Sequence, residues 1–361
     1  MVSRQNHLVN PSVAGCAAVF MLCCVSCSTP GKPAARDLLE HKIRRLSYWM
    51  EKFNPMQRIE DRVGPATADV IEFVTMDNKF HGFPERPAEA VLNDGFKKDF
   101  REALAGLPEQ VKALAGPTVF GIFYLKNLGT TGFAESVFDD KGNPAGAFLV
   151  FDAGYLHRKA NDWASLRENT PFADFTSGVG AAEVDARVVV EIEDDKDNNR
   201  LSAIQFIALH ELGHAIAFTG NVHPSYAKPL TGENHPSRFP FSRLSWSTDK
   251  NGNLVSVYDK LVFPERTSVV FYAPAGKKLP VQHVARIYNH LSRTSFFTLY
   301  GSVSPYDDFA EAFAVYVHVK LLGRPYRVFL QDRRKRFKLF APCWESGRCG
   351  AKMELLKKLL K

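Results

Sequence analysis

Cysteine is scarce in this chain: six in 361 residues, with Cys16, Cys23 and Cys24 close together near the N-terminus. Only Cys27, Cys343 and Cys349 remain for the rest. Five residues separate Cys343 from Cys349, where a zinc-binding cysteine pair has two. That pair reads as a disulfide closing a short loop in an exported protein. A strong charge of either sign is also missing. The formal net charge is +7, or +6 without residues 1–26, which hold Arg4 and no acid. Most of the excess lies in Arg333, Arg334, Lys335, Arg336 and Lys338. That run lacks the series of interleaved aromatics that a base-stacking surface uses, so a solvated helix face or tail is expected and no nucleic-acid partner. The apolar run at residues 13–25 is too short to span a bilayer and reads as a targeting segment. What is present, 45% hydrophobic and 24% charged residues, is the composition of a globular chain with one large domain or two smaller ones.

The centre of the chain holds His210, Glu211, Leu212, Gly213 and His214. Residues four apart share one face of a helix, so His210 and His214 can bind one ion from the same side. Glu211 projects about 100° from His210 and about 60° from His214. It is near enough to a third ligand position to handle a metal-bound water. Two neutral imidazoles with a carboxylate as general base form the zinc-hydrolase pattern. Leu201, Ile204, Phe206, Ile207, Leu209 and Leu212 before and within the motif, and Ala215 to Phe218 after it, make the helix apolar nearly all round, hence buried. Gly220 is its natural stop.

Around this helix the chain divides by pattern. Residues 37–116 are expected to be a helical N-terminal region, with helical spacing at Leu38, Leu39, Ile43, Leu46 and Met50 and again at Phe100, Leu104, Leu107, Val111 and Leu114. The stretch between them, with Pro65, Pro84 and Pro87, reads as irregular. Residues 119–125, 133–138, 145–151 and 186–192 read as strands, the second and third as a hairpin about the turn at 139–144. The acidic run 194–199 lacks the spacing of a calcium-binding loop and reads as a turn and helix cap. Residues 221–250 form a long, Pro-rich connection expected to border the cleft. His223 and His235 lie in it and are expected at the surface, with a third-ligand role as the alternative. Residues 281–295 read as helical. The expected architecture is α+β, with a small twisted mixed sheet, in a domain at 117–361.

A catalytic zinc site needs a third ligand and one position for water. The metzincin extension is absent, since Ala217 and Gly220 stand where it needs Gly and His. The best candidate stretch for the third ligand is residues 300–313. Ser304 as N-cap and Pro305 at the first position open a helix expected to reach about Leu322, before Gly323 and Pro325. Asp307 and Glu311 share a face, so one can bind the metal while the other orients a histidine. Asp307 also fits a capping box with Ser304, and Asp308 or Glu311 can serve as the ligand instead. His318 reads as a core or rim histidine.

These two stretches together, His210-Glu-Leu-Gly-His214 and Asp307-Asp-Phe-Ala-Glu311-Ala-Phe, resemble the zincin metallopeptidases, especially those similar to the catalytic domain of anthrax lethal factor. In that group a Glu ligand on the second helix precedes a second acid by four residues, and a tyrosine seven residues before the ligand faces the metal. The resemblance implies Asp307 as third ligand, Glu311 as the second acid and Tyr300 as the tyrosine. Asp in place of Glu departs from the group and shortens the reach by one methylene. It further implies a zincin-like fold carrying Zn²⁺ and an endopeptidase activity on protein or peptide substrates. Glu211 would be general base, Tyr300 would stabilise the oxyanion, and one strand of the 133–152 hairpin would form the edge along which the peptide pairs. The alternatives are a catalytically inactive zincin-fold binding module, against which Glu211 is retained, and a structural zinc surface lipoprotein.

The N-terminus resembles a bacterial lipoprotein signal. Residues 1–26 would be removed, Cys27 lipidated as a membrane anchor, and 27–36 left as a tether. Ser28 after the cysteine implies the outer membrane. Cys24, where Leu is usual, departs from the pattern. The alternatives are an ordinary signal cut near Ser26 or a simple N-terminal anchor.

Overall fold

The computed structural model describes residues 35–173, 186–226, 228–272, 278–332 and 335–361. The expected signal segment, Cys27, most of the tether, and Arg333 and Arg334 of the basic run lie outside the described residues. The chain begins with α1 (Ala35–Leu39) and α2 (Leu46–Met50), then β1 (Val63–Pro65), α3 (Ala68–His81), β2 (Ala88–Glu89), α4 (Asp94–Ala105) and α5 (Glu109–Ala115). Next come β3 (Val119–Lys126), β4 (Gly132–Phe138), β5 (Pro144–Asp152), α6 (Ala160–Asn169), β6 (Ala186–Glu191) and α7 (Arg200–Gly220). The last part holds β7 (Trp246–Thr248), β8 (Leu254–Ser256), α8 (Val284–Leu291), α9 (Pro305–Tyr316), β9 (Arg327–Asp332), β10 (Lys335–Lys338) and α10 (Gly350–Leu359). The class is α+β, as expected.

The principal sheet is mixed. β1 and β5 flank β3 in parallel, β2 pairs antiparallel with the end of β3, and β4 closes the sheet antiparallel to β5. The hairpin thus supplies the sheet edge through β4. Successive residues of β4 face opposite sides. Ala134 joins the core on the α7 side, and Phe133 and Val137 join a second cluster with Val70, Phe73 and Val74 of α3. The Asp139 carboxylate accepts from the N–H groups of Lys141 and Asn143 and shapes the hairpin turn, with Gly142 at φ 76°.

Three expectations change. First, residues 37–116 are not a separate helical region. β1 and β2 join β3, and Phe96, Phe100 and Leu104 of α4 share one core with α7. Second, the stretch read as irregular contains α3, capped by the Thr67 hydroxyl accepting from Val70 N–H and ended by Gly82 at φ 80°. Its flanking prolines lie outside the helix, where they act as stops. The helices on either side are shorter than their spacing suggested. The first breaks at His41, whose Nδ1 accepts from Ile43 N–H, and the second at Gly106 to Pro108. Third, the described part of the basic run is neither helix nor tail. Lys335–Lys338 is an exposed strand pairing β9, which pairs β6. It is solvated, as expected of the charge.

α7 is the element everything else surrounds. It is long and apolar enough to cross a membrane, yet 89% of that window is buried in the fold. Its burial on all sides therefore answers its composition. Asn199 caps it, its side chain accepting from Ser202 N–H, and Asn221 ends it in the left-handed region at φ 53°. α9 packs most closely on it. At Gly213 a side-chain Cβ would lie 2.9 Å from the Ala310 Cα. The glycine of the motif is therefore what lets the two helices approach. Beyond Tyr316, α9 continues as a π-helical turn, Val317–Leu321, before Gly323 at φ 68°. The disulfide between Cys343 and Cys349 is formed, and Cys349 stands at the start of α10.

Candidate metal centre

α7 projects His210 and His214 toward α9. Their Nε2 atoms lie 3.1 Å apart, and His214 Nε2 is 3.8 Å from Asp307 Oδ1. One donor atom from each of the three residues lies within 4.8 Å of the others, a cluster that could hold a metal ion. All are buried: His210 is 4% exposed, His214 and Asp307 0%. Asp307 Oδ1 is buried without a hydrogen-bond partner. Such an atom costs free energy unless a cation or water meets it.

Asp307 takes part in the helix cap, as its spacing from Ser304 allowed, and keeps Oδ1 without a hydrogen-bond partner. Ser304 Oγ accepts from Asp307 N–H at 3.1 Å and donates to Asp307 Oδ2 at 2.6 Å. The N-cap thereby fixes one carboxylate oxygen and leaves Oδ1 facing the histidines. Burial raises the Asp307 carboxyl to about 6, with His210 and the Ser304 hydroxyl opposing. Burial also holds His214 well below the usual imidazole range, which favours the neutral, metal-binding form.

Glu311, one turn on, lies behind His210. Its Oε1 lies 2.8 Å from His210 Nδ1, leaving Nε2 for the centre. The Arg167 guanidinium bonds both its oxygens, at 2.8 and 3.2 Å, and Thr298 Oγ1 donates to Oε2 at 2.6 Å. Burial alone would raise Glu311, but Arg167 and His210 outweigh it and hold the carboxyl at about 2. The Arg167 guanidinium thus favours its ionised, accepting form. Such a carboxylate behind a histidine fixes its tautomer and ring orientation. Asp308 points elsewhere. It accepts from Lys352 Nζ of α10 at 2.6 and 2.7 Å and from Trp246 Nε1 at 2.9 Å.

Glu211 is 3% exposed, and its Oε2 is buried without a partner. Burial raises its carboxyl to about 8, with Asp307 and Glu311 adding repulsion and His210 opposing. It lines a small pocket with His210, Tyr300, Arg167, Trp163 and Tyr272 among the walls. The Tyr300 ring lies 5.5 Å from the His210 ring, and the Arg167 guanidinium covers it at 5.3 Å. Gly132, at the start of β4, faces the same space. A Cβ there would lie 3.4 Å from Glu211 Oε1.

His223 is not the surface residue expected. It is 6% exposed, its ring lies 4.6 Å from Tyr306, and Nε2 is buried without a partner. The chain after Asn221 turns straight back over α7 and α9 instead of into solvent. His235 is partly exposed and bonds Ser237 and Thr248, and His318 is a core histidine bonded to the Ile192 carbonyl at 2.6 Å. The residues that reading by spacing missed are Arg167, Thr298, Lys352 and Trp246. None carries a local signal, because each meets its partner across the fold. Only the burial of two acids on α9 hints that cations must be near. The chain matches no protein-family model, no curated protein and no solved structure.

Proposed function

We propose that the chain is a zinc-dependent peptidase of the zincin type. The observation that supports this most is the buried His210, His214 and Asp307 cluster beside Glu211. A tetrahedral zinc with ligands at about 2.0–2.1 Å needs donor atoms about 3.3 Å apart. The 3.1 Å and 3.8 Å separations suit it. Among the described residues three protein donors gather there, which leaves a fourth position for water and favours catalysis over a closed structural clamp.

Zinc bound there would polarise water and the scissile carbonyl. Glu211 takes the proton of the attacking water and delivers it to the leaving amine. Glu311 holds His210 in place, and Arg167 keeps Glu311 ionised. The Tyr300 hydroxyl donates to the oxyanion of the tetrahedral intermediate. The outer edge of β4 receives the substrate as an added strand. Cys27 is read as a lipid anchor to the outer membrane. Mass spectrometry of the mature N-terminus tests that assignment, and an unmodified Cys27 would refute it.

The deciding experiment compares wild type with Glu211→Gln for zinc content and for cleavage of an unbiased peptide library. One zinc per chain in both, with cleavage by wild type alone, is expected. Zinc in both and cleavage by neither would move the reading to a peptide-binding module of the same fold.

A further inference from the structure

The small pocket beside the metal cluster has walls that the fold holds in place. The Arg167 guanidinium lies over the Trp163 ring at 4.9 Å and over the Tyr300 ring at 5.3 Å, and both rings are 3% exposed. The Trp163 indole N–H donates to Thr131 Oγ1 at 3.1 Å, and the Tyr272 hydroxyl lies 3.2 Å from the same oxygen. Thr131 thus ties two aromatic walls to the start of β4. Tyr272 stands at φ 54°, where a residue with a side chain is disfavoured. The fold around it, not local preference, therefore sets the place of its ring. Ile207 of α7 and Gly132 of β4 line the same space.

Gly132 sets how near a ligand can come. A Cβ there would lie 3.0 Å from the Val150 carbonyl oxygen, 3.1 Å from the Phe151 ring and 3.4 Å from Glu211 Oε1. Its absence lets a ligand's main chain approach Glu211 closely. Glu211 lines the pocket, and its Oε2 is buried without a partner, so an occupant lies against the proposed base. The walls suit neither a charged nor a large side chain. Both terminal nitrogens of Arg167 bind Glu311, so its charge is matched and only Nε is left without a partner. Glu211, the one acid among the lining residues, is needed for the water. A charged side chain would lose its hydration there without a free counter-ion. A large one would have to displace a hydrogen-bonded ring.

Resting on the peptidase reading, we propose that this pocket sets specificity for a small, uncharged residue. It takes the side chain of one of the two residues flanking the cut bond, and that residue is glycine, alanine or serine. The substrate main chain passes Gly132, and Trp163 and Tyr272 exclude anything larger. Each methylene beyond what a rigid pocket holds is worth about tenfold to 200-fold in kcat/KM, so leucine in place of alanine should lower it by at least that much.

The test uses the zinc-loaded protein and a random peptide library, with the cuts located by mass spectrometry. Glycine, alanine or serine should be enriched on one side of the bond. The best substrate is then made again with Ala, Leu, Phe, Asp or Lys at that position, and kcat/KM is measured for each. The alanine peptide should be cut fastest. Tyr272 is half-buried, and Tyr272→Ala removes one wall. It should shrink the preference for alanine over leucine about tenfold or more. The wild-type series decides the matter even where this variant folds poorly. Cuts without small-residue enrichment on either side overturn the inference and leave the peptidase reading standing. So does a leucine, phenylalanine, aspartate or lysine peptide cut as fast as the alanine one, or a folded Tyr272→Ala with an unchanged preference. Cleavage of none of the peptides overturns both.

Discussion

Glu311→Gln separates orientation of the metal site from mere neutralisation of a buried cation. In the native chain Glu311 accepts from Arg167 at 2.8 and 3.2 Å, from Thr298 at 2.6 Å and from His210 at 2.8 Å. Glutamine keeps the shape but gives up the charge and one acceptor. Arg167, 4% exposed, is then a buried cation without its anion, which costs about 3–5 kcal/mol. At roughly 2.1 cal/mol/K per residue over some 300 ordered residues, that lowers Tm by about 6 °C. The second effect is separate. A histidine whose supporting carboxylate is weakened loses roughly 10–100-fold in metal affinity, about 1.4–2.8 kcal/mol. Thermal unfolding of the metal-free protein reads the first effect, and competition with a chelator of known zinc affinity reads the second. The double variant Arg167→Met with Glu311→Gln should recover stability without recovering zinc affinity. If Glu311→Gln lowers Tm while zinc affinity stays within about threefold of wild type, a small part of what a supporting carboxylate is worth, Glu311 serves only to neutralise Arg167 and the orientation argument falls.

Three further predictions come from other parts of the fold. Gly213→Ala puts a methyl 2.9 Å from the Ala310 Cα and 3.2 Å from its carbonyl oxygen. It should cost about 1–3 kcal/mol and weaken zinc binding as α9 is pushed back, so unchanged stability and affinity in calorimetry would contradict that packing. Glu168 is buried against the Tyr288 hydroxyl, and burial raises its carboxyl to about 7. A raised carboxyl favours the folded state below its unfolded pKa of about 4.5 and loses that contribution as pH climbs through about 7. Glu168→Gln should therefore gain about 3 kcal/mol on wild type between pH 4 and pH 8 in denaturant unfolding, and a pH-independent difference would refute it. Replacing Cys343 and Cys349 by serine opens a seven-residue loop and should cost about 2 kcal/mol. Reductant should lower the Tm of wild type and leave the serine variant unmoved.

How much of this was legible follows from where each interaction closes. The α7 face is written in a period of four residues, and the Ser304-Pro305 start of α9 in adjacent ones, so both were readable from spacing. The hairpin of β4 and β5 was equally local, with its turn residues between two apolar runs. Arg167 meets Glu311 across 144 residues and Lys352 meets Asp308 across 44, so no window along the chain contains either pair. The same reasoning explains the basic run. Read alone it suits any solvated surface, and only pairing with β9, itself held by β6, makes it a strand. His223 misled because a lone histidine in a Pro-rich connection carries no sign of the turn that folds it back over Tyr306. The ligand choice shows how the two kinds of information combine. Asp307, Asp308 and Glu311 were rivals by spacing, and all three are fully buried, so burial does not discriminate among them. Their distant partners do: Lys352 and Trp246 consume Asp308, Arg167 and Thr298 consume Glu311, and Ser304 takes only one oxygen of Asp307. Asp307 is the carboxylate that the rest of the fold leaves half unsatisfied, a property of long-range contacts that local sequence cannot express.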